Sequence, residues 1–88
     1  MLRLTRTSQA PDEVILLLEG QIVAEWVLLL EDECLELLRT GCRVLVDLSG
    51  VSYLDRHAAR LLRELEHRSV RLINCPPLVD ELVREDAS

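Results

Sequence analysis

Short apolar runs alternate along this chain with longer segments in which apolar residues recur every three or four positions. The short runs have the length of β-strands, and the longer segments have the periodicity of amphipathic helices. The predicted strands are Leu2–Arg6, Val14–Leu18, Val44–Leu48 and Val70–Ile73. The predicted helices are Ala24–Arg39, Asp55–Arg68 and Leu78–Glu85. The predicted order is therefore β-β-α-β-α-β-α.

These patterns predict an α/β domain with a mixed four-stranded sheet and about three helices. Leu2–Arg6 alternates apolar and polar residues, as an edge strand does, and the turn residues of Ser8–Asp12 return the chain antiparallel. Each later strand-helix-strand step requires a right-handed parallel crossover. Val14–Leu18 and Val44–Leu48 are apolar without interruption, which is typical of strands covered on both faces. We therefore expect helices above and below the sheet.

Composition narrows the classes of function. The 88 residues predict a single domain, residues 1–88, and the formal net charge of −6 argues against nucleic acid as the partner. All ten basic residues are arginine, which excludes lysine chemistry. No apolar run is long enough to insert across a membrane, and three cysteines without a signal peptide indicate a reducing cytoplasm.

Polar residues concentrate where the third and fourth predicted strands end. Ser49–Ser52 is predicted as a loop after the third strand, and Asn74 follows the fourth. Ligands of open parallel sheets bind at the carboxyl ends of the strands. A small ligand or nucleotide bound around Ser49, Gly50 and Asn74 is therefore one hypothesis.

Catalytic and metal-binding motifs are incomplete. Ser52 fails as the nucleophile of a hydrolase elbow, because Leu54 stands where that motif needs glycine. His57 and His67 are about 15 Å apart along one helix and cannot share a metal ion. We predict no enzyme, no metal and no cofactor. Cys75 is a mild candidate for a reactive thiol, since the start of a helix lowers thiol pKa, but an inert, partly buried cysteine is the favoured alternative.

Charged residues form one stripe on each of the first two predicted helices. The basic stripe on the second helix consists of Arg56, Arg60, Arg63 and His67. The acidic stripe on the first helix consists of Glu25, Asp32, Glu33 and Glu36. Two ordinary solvated faces would give the same pattern as a docking strip for an acidic partner protein. Trp26 and Leu29 are expected to border the acidic stripe as a small apolar patch, which, like the sheet edge, would suit a homodimer.

Two segments of the chain resemble the STAS domain family, the fold of bacterial anti-sigma factor antagonists. They are the run Val14–Gly20 and the more specific segment Val46–Asp55, and the resemblance extends from about Val14 to Val83. The resemblance implies a non-catalytic domain that binds a protein partner, commonly an anti-sigma factor that is also a kinase.

The resemblance also implies a phosphorylation switch at the start of the second helix. The family motif there is Asp, a small residue, the Ser or Thr acceptor, and Gly, whereas this chain has Asp55, Arg56, His57 and Ala58. Because His57 occupies the acceptor position, we expect no serine switch. A phosphorylated or pH-responsive His57 and an ordinary solvated histidine are both left open.

We therefore predict a partner-binding surface formed by the loop Ser49–Leu54 and the second helix. Its residues are Ser49, Ser52, Asp55, Arg56, His57, Arg60, Arg63 and His67. The expected partner is a protein, an anti-sigma factor or a kinase-like relative. The alternatives are a self-associating structural module and a domain that binds a small ligand.

Overall fold

The computed structural model of the chain describes residues 2–85 and contains seven elements in the predicted order. The strands are β1 (Leu2–Ala10), β2 (Glu13–Ile22), β3 (Arg43–Leu54) and β4 (Arg71–Ile73). The helices are α1 (Ala24–Arg39), α2 (Arg56–His67) and α3 (Pro77–Glu85). The sheet order is β1-β2-β3-β4, with β1 antiparallel to β2 and the other neighbours parallel. The predicted fold class is confirmed.

The helices pack on one face of the sheet, which corrects the expectation of helices on both faces. Along β2 and the first half of β3 only alternate residues are fully buried, and these, such as Leu16 and Val46, share one core with residues of all three helices. The helices lie on one face because the chain adds its successive parallel strands in one direction across the sheet. The β2-α1-β3 and β3-α2-β4 steps cross the sheet the same way, so two right-handed crossovers put α1 and α2 on one side. α3 packs beside α2.

The core beneath the helices is almost wholly aliphatic, because the chain has no phenylalanine. Leu16 from the sheet, Leu30 from α1, Leu62 from α2 and Val83 from α3 are each fully buried. Burying one such side chain contributes roughly 1.5–3 kcal/mol. Among residues 2–85 no polar or charged residue is buried. Hydrophobic packing therefore holds the domain together, and polar groups lie at its surface.

The opposite face of the sheet carries Ile15, Leu17 and Leu45 at intermediate exposure. No helix of the described residues covers this face. Each of these side chains is therefore partly exposed to solvent.

β3 is longer than predicted, and Ser49–Ser52 lies in the strand instead of a loop. β2 also continues beyond its apolar run, and the two strands stay paired as far as Ile22 and Leu54. Two irregularities in the register each place an extra residue in β3. Serine and glycine favour turns locally, but here the backbone of the segment pairs with β2. β1 likewise runs to Ala10, which shortens the predicted turn after it.

Gly50 lies where β3 approaches β2 most closely. A Cβ atom at this position would lie 2.8 Å from Cγ of Glu19 and 3.0 Å from the carbonyl oxygen of Leu18. Both distances are shorter than ordinary van der Waals contacts, and one of the two atoms belongs to the backbone. Glycine is therefore required here by the irregular register of the two strands.

Gly50→Ala is expected to lower the free energy of unfolding by about 1–3 kcal/mol, because the added methyl group must displace the β2 backbone. Urea unfolding followed by circular dichroism measures this change. Ser49→Ala, one residue earlier on the same strand, is the control and should change the free energy by less than about 0.5 kcal/mol. A Gly50→Ala variant as stable as the parent chain would contradict the close approach.

Candidate partner-binding surface

Asp55 fixes the point at which α2 begins. Its Oδ1 accepts a hydrogen bond from the backbone N–H of Ala58 at 2.9 Å, which caps the helix as the sequence predicts. Its own backbone N–H donates to the carbonyl oxygen of Ile22 at 3.1 Å. The cap is thereby tied to the end of β2. α2 begins at a defined place on the edge where the parallel strands end.

An exposed polar surface surrounds the beginning of α2. Its predicted members Ser52, Arg56, His57 and Arg60 are all exposed. Tyr53 is 47% exposed beside them on β3; it lies within the predicted segment Ser49–Leu54 but was not among the individually predicted residues. In a regular strand Tyr53 would face the same side as the buried Val51. The extra residue between the pairs Gly20–Val51 and Gln21–Tyr53 turns Tyr53 outward instead.

Arg56 and Arg60 carry positive charge that the domain itself does not neutralise. Both are exposed, and within residues 2–85 neither has a carboxylate at ion-pair distance. They lie one turn apart on the same side of α2, whose first turn contains no acidic residue. A cation in the first turn is unfavourable beside the positive end of the helix dipole. The beginning of α2 is therefore an uncompensated positive surface.

Arg63 lies outside the exposed stripe, which corrects the sequence prediction. Its side chain is partly buried, and Nη1 donates to the backbone carbonyl oxygen of Val83 at 2.6 Å. Arg84 of α3 also donates to both carboxylate oxygens of Glu66, at 2.7 and 3.1 Å. Helical periodicity alone puts Arg63 near solvent, but α3 packs against that side of α2. His67 is exposed at the end of α2, as predicted.

Ser49 and Ser52 lie on the exposed side of β3. The Ser52 hydroxyl donates to the carbonyl oxygen of Gly20 at 3.3 Å, so it binds the neighbouring strand instead of a local turn. These serines and the exposed residues at the end of β3 and on α2 together make up the candidate surface. We call it the α2 surface and define it by Ser49, Ser52, Tyr53, Arg56, His57, Arg60 and His67.

Asp47, inside β3, is linked to the end of β4. Its Oδ1 accepts from the backbone N–H of Ser49 at 2.9 Å, and its Oδ2 accepts from Nδ2 of Asn74 at 3.1 Å. Partial burial acts to raise the pKa of Asp47, but the hydrogen bonds from Ser49 and Asn74 outweigh it and hold the pKa below its ordinary value. The polar groups that suggested a small-ligand site are therefore bonded to one another.

Asp47→Asn is expected to destabilise the domain at pH 7, because an amide cannot accept both hydrogen bonds. The pKa of Asp47 is lowered by folding, so its contribution is present above the unfolded pKa of about 4 and is lost as the pH falls through the folded value. Urea unfolding should show a stability difference that shrinks from pH 7 toward pH 3. Asp32→Asn, on exposed α1 surface, is the control. A difference that does not change with pH would contradict the assignment.

The cysteines are unpaired, and burial disfavours the thiolate forms of two of them, Cys34 and Cys75. Cys34, Cys42 and Cys75 are free. Burial raises the pKa of Cys34 to about 11. Burial, together with the carboxylates of Asp80 and Glu66, also raises the pKa of Cys75. The raised pKa agrees with the inert, partly buried cysteine and not with the reactive thiol, because these effects outweigh the start of α3.

The acidic residues of α1 divide into two groups. Glu33 pairs with Arg6 of β1, and Glu36 pairs with the arginine three residues later. Glu25 and Asp32 are exposed and, among the residues that the structure describes, have no ion-pair partner. Only part of the predicted acidic stripe is therefore without ion-pair partners among the described residues.

The apolar patch predicted on α1 has a different composition. Trp26 is partly buried and packs against the core, so it contributes to the fold. Leu29 is 49% exposed, as predicted, and Leu28 is 65% exposed. The helical pattern alone did not single out Leu28.

No group of three or more histidine, cysteine, aspartate or glutamate residues in the described part of the chain could hold a metal ion. None of its helices is both long and apolar enough to cross a bilayer.

Comparison with protein families identifies the fold. The family described as Mlab, STAS domain matches residues 5–85, nearly the whole chain. The chain belongs to the STAS domain family. The match includes every element of this STAS domain except the first residues of β1. A search of curated proteins gave no match.

Solved structures share the fold of this STAS domain. The anti-sigma factor antagonist SpoIIAA in its unphosphorylated form matches with a TM-score of 0.69 and 16% identity, over 93% of this chain and 82% of that one. The Bacillus cell fate determinant SpoIIAA in its phosphorylated form gives 0.66 and 16%, over 98% and 84%. Mglu gives 0.60 and 30%, over 77% of this chain but only 18% of Mglu.

Proposed function

We propose that this STAS domain is a non-catalytic regulatory module that binds a partner protein through the α2 surface. Membership of the family and the fold shared with SpoIIAA support a role like that of an anti-sigma factor antagonist. The proposed partner is an anti-sigma factor or a kinase-like relative. Its contact area is expected to be acidic, because the α2 surface is basic at its centre.

The observation that carries this proposal is the pair of unneutralised arginines at the start of α2. Some arginines of the domain have internal partners, such as Arg6 with Glu33 and Arg84 with Glu66, whereas Arg43 and Arg71 are exposed on the sheet, away from a helix start. Arg56 instead lies in the first turn of α2, where a positive charge is unfavourable beside the helix dipole and where that turn contains no acidic residue. Carboxylates of a partner would form charge-assisted hydrogen bonds with Arg56 and Arg60, and Tyr53 beside them would supply apolar contact area.

The proposal includes the absence of the serine switch at this position. His57 is exposed in the first turn of α2, where the family motif has the acceptor hydroxyl. Ala58, in place of the motif glycine, is fully buried in the core. A phosphate on the acceptor would bring about −1.5 to −2 charges to this helix start. Arg56 and His57 instead make the site neutral to positive, so we propose that it binds its partner constitutively.

The double substitution Arg56→Glu with Arg60→Glu should weaken partner binding by roughly tenfold or more, because it places like charges against the acidic partner. Titration calorimetry of the domain against purified anti-sigma factors and kinase-like relatives from the source organism measures this. Raising the salt concentration should weaken the parent interaction as well.

The matched control for that experiment is Arg43→Glu with Arg71→Glu. These two arginines are exposed on the uncovered face of the sheet, so the charge change is identical and the location is different. Equal loss of affinity in both double variants would show a general effect of net charge. Unchanged affinity after substitution of Arg56 and Arg60 would reject the α2 surface, and absence of binding across the set would reject the partner class.

His57→Asp should raise the free energy of unfolding by about 0.3–1 kcal/mol, because it supplies the acid that the first turn of α2 lacks. The same change should weaken partner binding, since it neutralises the basic surface. His67→Asp in the last turn is the control, and there the dipole predicts the opposite sign of the stability change. Urea unfolding of both variants measures the change in the free energy of unfolding and therefore its sign. The same sign for both would contradict the electrostatic description of α2.

A further inference from the structure

The outer side of α1 carries features that neither the core nor the α2 surface uses. Leu28 and Leu29 are 65% and 49% exposed, and Glu25 and Asp32 beside them have no ion-pair partner within residues 2–85. We call these four residues the α1 face. Exposed leucines next to unpaired carboxylates form a surface whose complement is basic and partly apolar.

The domain itself displays such a complement on the neighbouring helix. α1 and α2 pack side by side. Each connects two parallel neighbouring strands, so both run against the strands and parallel to each other. Because Ile22 at the end of β2 pairs with Leu54 at the end of β3, the two helices start at the same level of the sheet. The acidic α1 face therefore lies beside the basic α2 surface, in register.

We propose that a second copy of this chain binds through these two surfaces, with the α1 face of each copy on the α2 surface of the other. A two-fold axis parallel to the helices and midway between them produces both contacts at once, so the interface is isologous and closed. Residues at equal levels then meet. Leu28 lies opposite Arg60 of the second copy, and Glu25 lies opposite His57, next to Arg56. Asp32 lies level with the exposed Glu64, and Arg60 lies one turn before that carboxylate.

These pairings provide oppositely charged partners for side chains that have no ion-pair partner within one copy. Glu25 and Arg56 each gain an opposite charge. The aliphatic stem of Arg60 covers Leu28, and its guanidinium can reach Asp32, one turn further along α1. Asp32 also lines a depression together with Leu35, Glu36 and Arg39.

The size of the surfaces sets the strength of the dimer. α1 is about 24 Å long, and two neighbouring helices are about 20 Å wide, so roughly 500 Å² is covered on each copy. This area is at the low end for specific interfaces. The dimer is therefore weak and reversible, with a dissociation constant in the range of tens of micromolar or above, and it dissociates as salt is added.

The test uses two variants with reversed charges. One carries Glu25→Arg and Asp32→Arg, and the other carries Arg56→Glu and Arg60→Glu. Sedimentation equilibrium from about 10 µM to about 1 mM, at low and high salt, should show a monomer–dimer equilibrium for the parent chain. Each variant alone should dimerise at least about tenfold more weakly, because like charges then meet in both contacts. An equimolar mixture should recover the dimer, because both contacts of the mixed pair are again complementary.

Two control substitutions leave both surfaces intact. Glu81→Arg lies on the exposed side of α3, and Arg71→Glu lies on the uncovered face of the sheet, and neither should change the equilibrium. Circular dichroism verifies that every variant is folded. A parent chain that is monomeric at about 1 mM overturns the proposal. A dimer that survives both reversals also overturns it, since the interface would then lie elsewhere, such as the β1 edge. So does a mixture that remains monomeric.

The proposed dimer and the proposed function can be contradicted independently of each other. The Glu25→Arg and Asp32→Arg variant keeps every residue of the α2 surface. It should lose self-association and retain binding to the acidic partner. Partner binding without a dimer would support the proposed function and contradict the self-association. A dimer without partner binding would support the self-association and contradict the proposed function.

Discussion

The arrangement of this STAS domain depends on the parallel pairing of β2 with β3, which continues to their last residues, Ile22 and Leu54. The close approach at Gly50 allows that pairing to continue through an irregular register. The backbone hydrogen bond from Asp55 to Ile22 then ties the first residue after β3 to the end of β2. As a result α1 and α2 start side by side, and the charged residues of their first turns lie at fixed places on one surface.

The arginines of the domain divide into structural and exposed groups. Arg6 binds an acid of α1, and Arg63 and Arg84 hold α2 and α3 together. Isolated ion pairs of this kind contribute about 0–1 kcal/mol each, so their value is mainly in orienting neighbouring elements. Arg56 and Arg60 take no part in this. The formal charge of −6 therefore conceals a positive surface whose residues the fold does not need.

Sequence patterns predicted the features of the structure that depend on residues close together in the chain. The element order follows from apolar periodicity, and Asp55 was predicted to cap α2 because its side chain needs only the N–H groups of the next turn. Features that depend on distant partners were not predicted. Ser49–Ser52 has the composition of a loop, and only pairing with β2 makes it a strand. Arg63 lies on the outward side by periodicity, and only α3 covers it.

Amide hydrogen exchange, measured residue by residue by NMR, tests most directly whether the extended β2–β3 pairing holds the start of α2. The account predicts that the amides of Asp55 and Ala58 are strongly protected, because the first donates to Ile22 and the second to the Asp55 carboxylate. Ser49 is exposed and its amide donates to the Asp47 side chain, so it should exchange faster. Exchange of the Asp55 amide at the rate of an open loop would contradict the account, since the α2 surface would then have no fixed position on the sheet.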